Sequence, residues 1–261
     1  MSSNAIILKS KNQVSQMREG GKIAHSILLE LVDHLDSFEN SLELDKFAEV
    51  LLKKYNVFSA FKGLYDYNYV TCISINDVII HGIPSTKSFK LGDLVKIDIG
   101  IIFNQVYIDH AVTCIYREKH IDFDSSKFQE EIKIRNCAKL ILDNVLNTIK
   151  PGDSTLNISK LIEKLAFDNG YFPNYDYVGH GVGTSLHEQP DIFCFYEEYL
   201  PGFKLVEGMT LAIEPMFSIG SGDTFIDPVD KFSVRIKGGG LGAFFEDTVY
   251  VGSEKIEVLT K

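Results

Sequence analysis

Tryptophan is missing altogether from the 261 residues, and cysteine is scarce. The four thiols, Cys72, Cys114, Cys137 and Cys194, lie far apart, with neither close metal-ligand spacing nor a secretory context, so they read as free. Long apolar runs are missing too: none approaches the roughly 20 residues that a helical membrane span requires. Near the N-terminus, Ala5 to Leu8 is the only apolar patch, with Lys9 and Lys11 after it rather than before, which is not a signal peptide. These absences make the cytoplasm the expected compartment and give no reason to expect a membrane partner. Basic runs are absent as well. With 26 Lys and Arg against 36 Asp and Glu, the formal net charge is −10. That balance argues against direct nucleic-acid binding, because phosphate contacts need clustered cations.

What is present is ordinary for a folded globular chain: 45% hydrophobic and 24% charged residues, at a length sufficient for a sizeable core. No low-complexity or Pro/Ser-rich linker divides the sequence, so a single domain over residues 1–261 is expected. Within it an order recurs. A helical pattern from Val14 to His34 leads through an acidic-polar loop, Asp36 to Ser41, into a second helix from about Leu42 to Tyr55. Later, a helix from about Phe128 to Ile149 leads through Pro151-Gly152-Asp153-Ser154 into another from about Leu156 to Asn169. Apolar residues fall at i, i+3 and i+4 in both pairs, as in Ile23, Ile27, Leu28 and Leu31, or Leu140, Ile141 and Val145. A strand-rich region follows each pair. Helix–loop–helix units are common enough for this echo to arise by chance. Read as a duplication, it predicts pseudo-repeats at about 12–117 and 128–251, their strands joined in one curved antiparallel sheet with a site at its centre.

The strongest chemical signal is a set of acids inside apolar, strand-like runs. Leu94 to Phe103 reads as a buried strand interrupted only by Lys96, Asp98 and Gly100. A buried, unpaired carboxylate is costly, so Asp98 needs a compensating partner. A two-residue turn at Asn104-Gln105 would return Val106 to Tyr116 beside it, with Phe103 facing Val106 and Asp109 opposite Gly100. Because strand side chains alternate, Asp98 and Asp109 would then be diagonal neighbours on one face, roughly 7–8 Å apart at Cα. Asn-Gln is not the favoured Asn-Gly turn. Glu214 interrupts Leu211 to Phe217 and Glu246 interrupts Phe244 to Tyr250 in the same way. One such acid is more often a solvated edge-strand residue; several share an explanation in a cation cluster. His180 stands among Gly179, Gly181 and Gly183, His187 follows seven residues on, and His81 opens His81-Gly82-Ile83-Pro84. Alone these histidines are loop residues; beside four buried acids they are candidates for the same site.

Taken together, these segments resemble the methionine aminopeptidases of the shorter, first type, from Ile6 to about Val251. The resemblance is carried by Asn76 to Pro84 with its His81-Gly82-Ile83-Pro84, and by Gly92-Asp93 with Ile97-Asp98-Ile99-Gly100 and Asp109. Gly179-His180-Gly181-Val182-Gly183 with His187-Glu188, Ile213-Glu214-Pro215-Met216 and Phe245-Glu246-Asp247-Thr248 complete it. It implies the α+β pita-bread fold, a curved antiparallel sheet with pseudo-twofold related halves and helices on its outer face. It implies a metal-dependent hydrolase that removes the initiator methionine of nascent proteins when the second residue is small, by metal-activated hydroxide attack on the peptide bond.

By that resemblance Asp98, Asp109, His180, Glu214 and Glu246 are the ligands of two divalent ions, with Asp109 and Glu246 bridging. Four carboxylates and one imidazole suit Mn²⁺, Fe²⁺ or Co²⁺ and admit Zn²⁺. His81 and His187 would position substrate and stabilise the tetrahedral intermediate, and Glu214 would carry the proton to the leaving amine. Phe61, Leu64, Tyr67, Cys72, His81 and Phe232 would line the methionine pocket. Nascent N-termini near the ribosome would be the partners of a monomer. The chain opens Met1-Ser2, a small second residue that this class accepts, so it would be its own substrate.

Some positions depart from the family pattern. Ile108-Asp109-His110 stands where Gly-Asp-Thr or Gly-Asp-Ser is usual, and His110 is expected to point away from the site. Cys194-Phe195 replaces a His or Asn followed by an aromatic, and Asp247 replaces a histidine. Glu246-Asp247 is commoner in the related Xaa-Pro peptidases, which usually carry Arg where this chain has Phe244 and Glu-Pro-Gly where it has Glu214-Pro215-Met216. A non-catalytic binding module on the same fold would be expected to have lost a ligand, and all five positions retain theirs.

Overall fold

A computed structural model describes residues 5–261, so Met1-Ser2 lies outside the described residues. Local hydrogen bonding starts three of its four long helices. Ser10 and Gln13 form a reciprocal capping box, with Gln13 N donating to Ser10 Oγ at 3.3 Å and Ser10 N to Gln13 Oε1 at 2.9 Å. Helix α1, Lys11–His34, follows. Asn40 Oδ1 accepts from Glu43 N at 3.1 Å to open α2, Ser41–Lys54. Ser154 Oγ accepts from Leu156 N at 3.2 Å to open the last long helix. The third, α3, Gln129–Thr148, has no side-chain cap and instead places Glu130 and Glu131 at the positive end of its dipole. The last is α4, Thr155–Asp168. Each forms within three residues of the limits that the apolar spacing predicts.

The helices bury their apolar faces in two separate cores. Met17, Ile27, Leu28 and Leu31 of α1, with Leu44 and Leu51 of α2, pack with Ile97, Ile99 and Ile101. Ile134, Ile141 and Val145 of α3, with Ile158 and Ile162 of α4, pack with Leu211, Ile213, Phe244 and Val249. A third, small cluster joins Ala60, Phe61, Tyr67, Cys72 and Leu186. Among the described residues no helix is long and apolar enough to cross a membrane.

Every strand pairing among the described residues is antiparallel. The longest ladder is the predicted hairpin, Leu94–Phe103 with Val106–Ile115, in which Phe103 faces Val106 and Asp109 faces Gly100. Asn104 and Gln105 have φ of 47° and 69°, the left-handed pair that a tight hairpin turn requires. Glutamine is poorly suited to that conformation. Gln105→Gly is therefore expected to stabilise the protein by about 0.5–1 kcal/mol, read as a higher urea midpoint; a lower midpoint would show that the turn carries no strain.

A second group runs Ile256–Val258, Asp247–Val251, Thr210–Ile213, Val178–Gly181 and Glu188–Phe193, side by side. Backbone bridges tie the hairpin to it. Glu246 N donates to Ala111 O at 2.9 Å. Thr248 Oγ1 donates to Asp109 O at 2.7 Å and accepts from Asp109 N at 3.1 Å. Asp109 and Glu246, the second and last candidate acids of the sequence, are thus drawn to one seam.

Lys96, another interruption of the first buried run, is fully buried and donates to Asn76 O at 2.8 Å. Burial brings its pKa down to about 7, with Asp77 and Asp93 opposing. Its hydrogen bonds go to the backbone carbonyls of Asn76 and Leu94, and it makes no ion pair with Asp98.

Candidate metal centre

Asp98, Asp109, His180, Glu214 and Glu246 line one cavity, and each is buried. Four different stretches deliver them. Asp98 and Asp109 come from the hairpin, His180 from Val178–Gly181, Glu214 from the end of Thr210–Ile213, and Glu246 from just before Asp247–Val251. Gly179 lets the His180 strand lie close to its neighbour, since a Cβ there would meet Ala212 O at 2.6 Å.

The histidine's tautomer follows from its neighbours. His180 Nδ1 lies 2.9 Å from Gly181 O, a carbonyl that can only accept, so Nδ1 carries the proton. The bare Nε2 faces Glu214 Oε1 at 3.5 Å and Asp109 Oδ2 at 3.9 Å. One ligand atom each of Asp109, His180 and Glu246 lies within 4.8 Å of the others. Asp98 Oδ1, Asp109 Oδ1 and Glu246 Oε1 are buried and accept no hydrogen bond. Among the described residues no lysine or arginine forms an ion pair with these four carboxylates.

Burial, reinforced by their mutual repulsion, pushes the Asp98, Glu214 and Glu246 carboxyls well above the ordinary range. Burial also pushes Asp109 up to about 7, against hydrogen bonds that pull it down. Orphaned carboxylate oxygens crowded around an oriented imidazole are what a multivalent cation neutralises. The donor set therefore fits divalent metal: oxygen-rich, anionic and carrying one nitrogen.

The cavity above has a volume of about 340 Å³, within the range of small-molecule sites. All six residues expected in the pocket, Phe61, Leu64, Tyr67, Cys72, His81 and Phe232, line it, as does His187. Tyr67 Oη donates to Thr71 O at 2.8 Å, which holds the ring against Phe232, 5.4 Å away between centroids. Burial, then the charge of Asp98, pushes the Cys72 thiol well up, so it stays protonated.

His81 has φ of 58°, left-handed backbone that a non-glycine residue seldom adopts and that clusters at functional sites. Burial, with His187 nearby, lowers its pKa to about 4. Burial lowers His187 too, so both rings are neutral near pH 7 and can each donate and accept. The His187 ring meets that of His180 edge-on, with centroids 4.5 Å apart.

Several lining residues went unforeseen, Leu186 and Tyr177 among them. Leu186 joins the pocket cluster, and Tyr177 stands edge-on to His81 at 5.4 Å between centroids. Both sit beside motif residues, but neither residue type marks a site in a sequence. His110 does point away from the cavity, to the other side of the sheet, yet it is buried and functionally adjacent: its Nδ1 donates to Glu246 O at 2.6 Å.

A family model described as metallopeptidase family M24 matches residues 15–253. The chain is 35% identical over 259 residues to the methionine aminopeptidase of Clostridium perfringens, covering 98% of each. It is 34% identical over 257 residues to methionine aminopeptidase 1 of Bacillus subtilis, covering 98% of this chain and 99% of that one. Among solved structures, the methionine aminopeptidase of Thermotoga maritima matches with a TM-score of 0.88 at 32% identity, over 98% of this chain and all of that one (100%). A prolidase of Pyrococcus horikoshii matches with a TM-score of 0.71 at 21% identity, over 98% of this chain but 63% of its own, a likeness of fold alone.

Proposed function

The chain belongs to metallopeptidase family M24, with its pita-bread fold, and is a metal-dependent hydrolase; we propose that it removes the N-terminal methionine of polypeptides whose second residue is small. The observation that carries this reading is the set of three unpartnered carboxylate oxygens in a cavity otherwise lined largely by apolar side chains.

Asp98, Asp109, His180, Glu214 and Glu246 would hold two divalent ions. The oxygen-rich set favours Mn²⁺, Fe²⁺ or Co²⁺ over softer ions, with Zn²⁺ admissible. When bound, such ions supply Lewis acidity to the scissile carbonyl and bring the pKa of the attacking water from 15.7 down toward about 7. Every other part of the work falls to side chains. Phe61, Tyr67, Cys72, Leu186 and Phe232 receive the methionine side chain, whose flexible thioether packs well against aromatic edges and a thiol. The cavity's carboxylates attract the substrate's free ammonium. His81 and His187, both neutral, donate hydrogen bonds to the peptide oxygen as it gains charge. Glu214 takes the proton of the attacking water and passes it to the leaving amine. Similarity to the family extends the reading to a monomer acting in the cytoplasm on nascent chains near the ribosome.

Methionine release from Met-Ala-Ser and from a Met-Lys control, in metal-free buffer and then with Mn²⁺, Fe²⁺ or Co²⁺, tests this directly. Metal-dependent release from Met-Ala-Ser, at least about tenfold faster than from the control, is the expected result. No release with any metal, despite measured metal binding, would overturn it.

A further inference from the structure

The turn that carries Leu186 and His187 is fastened from below by the N-terminal segment. The Lys9 ammonium is ion-paired with Glu188 Oε2, and the two side chains are 1% and 2% exposed. The other oxygen, Glu188 Oε1, gathers the turn: it accepts from Thr184 N and Thr184 Oγ1 at 2.5 Å each, and from Ser185 N at 2.9 Å. Ser185 Oγ in turn donates to His187 O at 2.9 Å. Lys9 is itself fixed, its N donating to Gly208 O at 2.8 Å and its Nζ to Ile7 O at 2.9 Å. The close fit needs a glycine. Gly183 has φ of 141°, and a Cβ there would stand 2.5 Å from Lys9 Cε.

The His187 ring packs edge-on against His180 but, among the described residues, makes no hydrogen bond of its own. Its placement depends on the turn, and the turn's one buried charge, Glu188, is answered by a lysine 179 residues away. A buried ion pair is a costly fastening compared with apolar packing. Here it couples the start of the chain to the reactive face.

We propose that Lys9 is a positioning residue for His187, acting through Glu188, so that the docked N-terminal segment completes the reactive site. This rests on the role given to His187 in the proposed reaction. It predicts that uncoupling Lys9 lowers kcat rather than affinity, because His187 acts on charge that develops after the substrate binds.

The test uses the metal-loaded full chain. Lys9→Met leaves Glu188 buried and unpaired and could fail to fold, so Lys9→Met/Glu188→Gln is made beside it: the glutamine oxygen keeps the three donors of the turn without the charge. In the double variant kcat on Met-Ala-Ser is expected to fall about tenfold, with KM within about threefold and metal content unchanged. Hydrogen exchange of residues 183–188 should quicken while that of α1 to α4 stays the same. The same pair of substitutions placed in a His187→Ala background should then cost less than about twofold more, since the lost interaction is already gone.

An equal loss in both backgrounds, no loss in either, or unchanged exchange overturns the proposal. His187→Ala by itself separates the two readings. A loss smaller than about tenfold there removes the role of His187, whereas a large loss with additive effects removes only the role of Lys9.

Discussion

Asp109→Asn is expected to lower kcat for methionine release by at least about 10³-fold, and yet to leave a protein that, in chelator, melts at a higher temperature than its chelated parent. The two halves of this result have one cause. Asp109 belongs to the proposed ligand set: Oδ2 faces His180 Nε2 at 3.9 Å, and Oδ1 is buried without a partner. An amide in its place would take one negative charge from the metal site, which would loosen its hold on metal and weaken the acidity that the metal confers. With the ions stripped away, however, the same substitution relieves repulsion among four buried carboxyls, and no hydrogen bond to Oδ1 is lost. The backbone is held independently by Thr248, so the strand should stay in register. Metal content by mass spectrometry, kcat, and melting in EDTA decide it. Full activity would remove Asp109 from the ligand set. A chelated variant less stable than its parent would mean that the carboxyl has a structural role unconnected with metal.

Most of the fold was legible because its periodicities are strong. The four helices follow stripes of Ile and Leu at helical spacing, and the central hairpin follows two ten-residue runs that meet at a polar pair. The register was legible too, because a two-residue turn at Asn104-Gln105 fixes it, although Asn-Gln is an unfavoured turn. The metal-site candidates could be found because a carboxylate inside an apolar strand contradicts its surroundings and so needs an explanation. Leu186 and the Lys9–Glu188 pair gave no such signal. Leucine in a turn and a lysine near a terminus look ordinary, and only tertiary packing brings them to the site.

The departures from the family pattern also acquire a physical logic in three dimensions. His110 and Asp247, two unusual residues 137 positions apart by number (247 − 110), meet behind the ligand-bearing strands. His110 Nδ1 lies 3.5 Å from Asp247 Oδ1, which also accepts from Thr260 Oγ1 at 2.7 Å. His110 Nε2 lies 3.3 Å from His25 Nδ1 on α1. Two polar groups that would each be costly to bury alone thus share one buried network. Each follows a proposed ligand, Asp109 or Glu246, in sequence, so strand alternation sends it to the opposite face. A linear reading sees two unrelated oddities; in the folded chain they are neighbours in one buried polar cluster.

Gly100→Ala is expected to lower kcat/KM on Met-Ala-Ser about 30-fold, the equivalent of ~2 kcal/mol, with nearly all of the change in KM. Gly100 lies opposite Asp109 in the hairpin and supports the pocket from behind: Ala60 N donates to its carbonyl at 2.8 Å. A Cβ there would meet Phe61 Cε1 at 2.5 Å and Cδ1 at 2.9 Å, with Ala60 Cβ at 3.0 Å. The backbone of Ala60 is held by that hydrogen bond, so the ring of Phe61 must yield. It lines the cavity with Tyr67, Cys72 and Leu186, and its displacement takes room from the methionine side chain without touching any proposed metal ligand. Metal content should therefore match the parent, and so should kcat at saturating substrate, because the reacting atoms keep their partners. A fall in kcat with KM unchanged would place Phe61 away from the substrate and make Gly100 a support for Asp98 and Asp109 instead. No change in either would mean that the methionine side chain lies elsewhere in the cavity, against His81 and Tyr177.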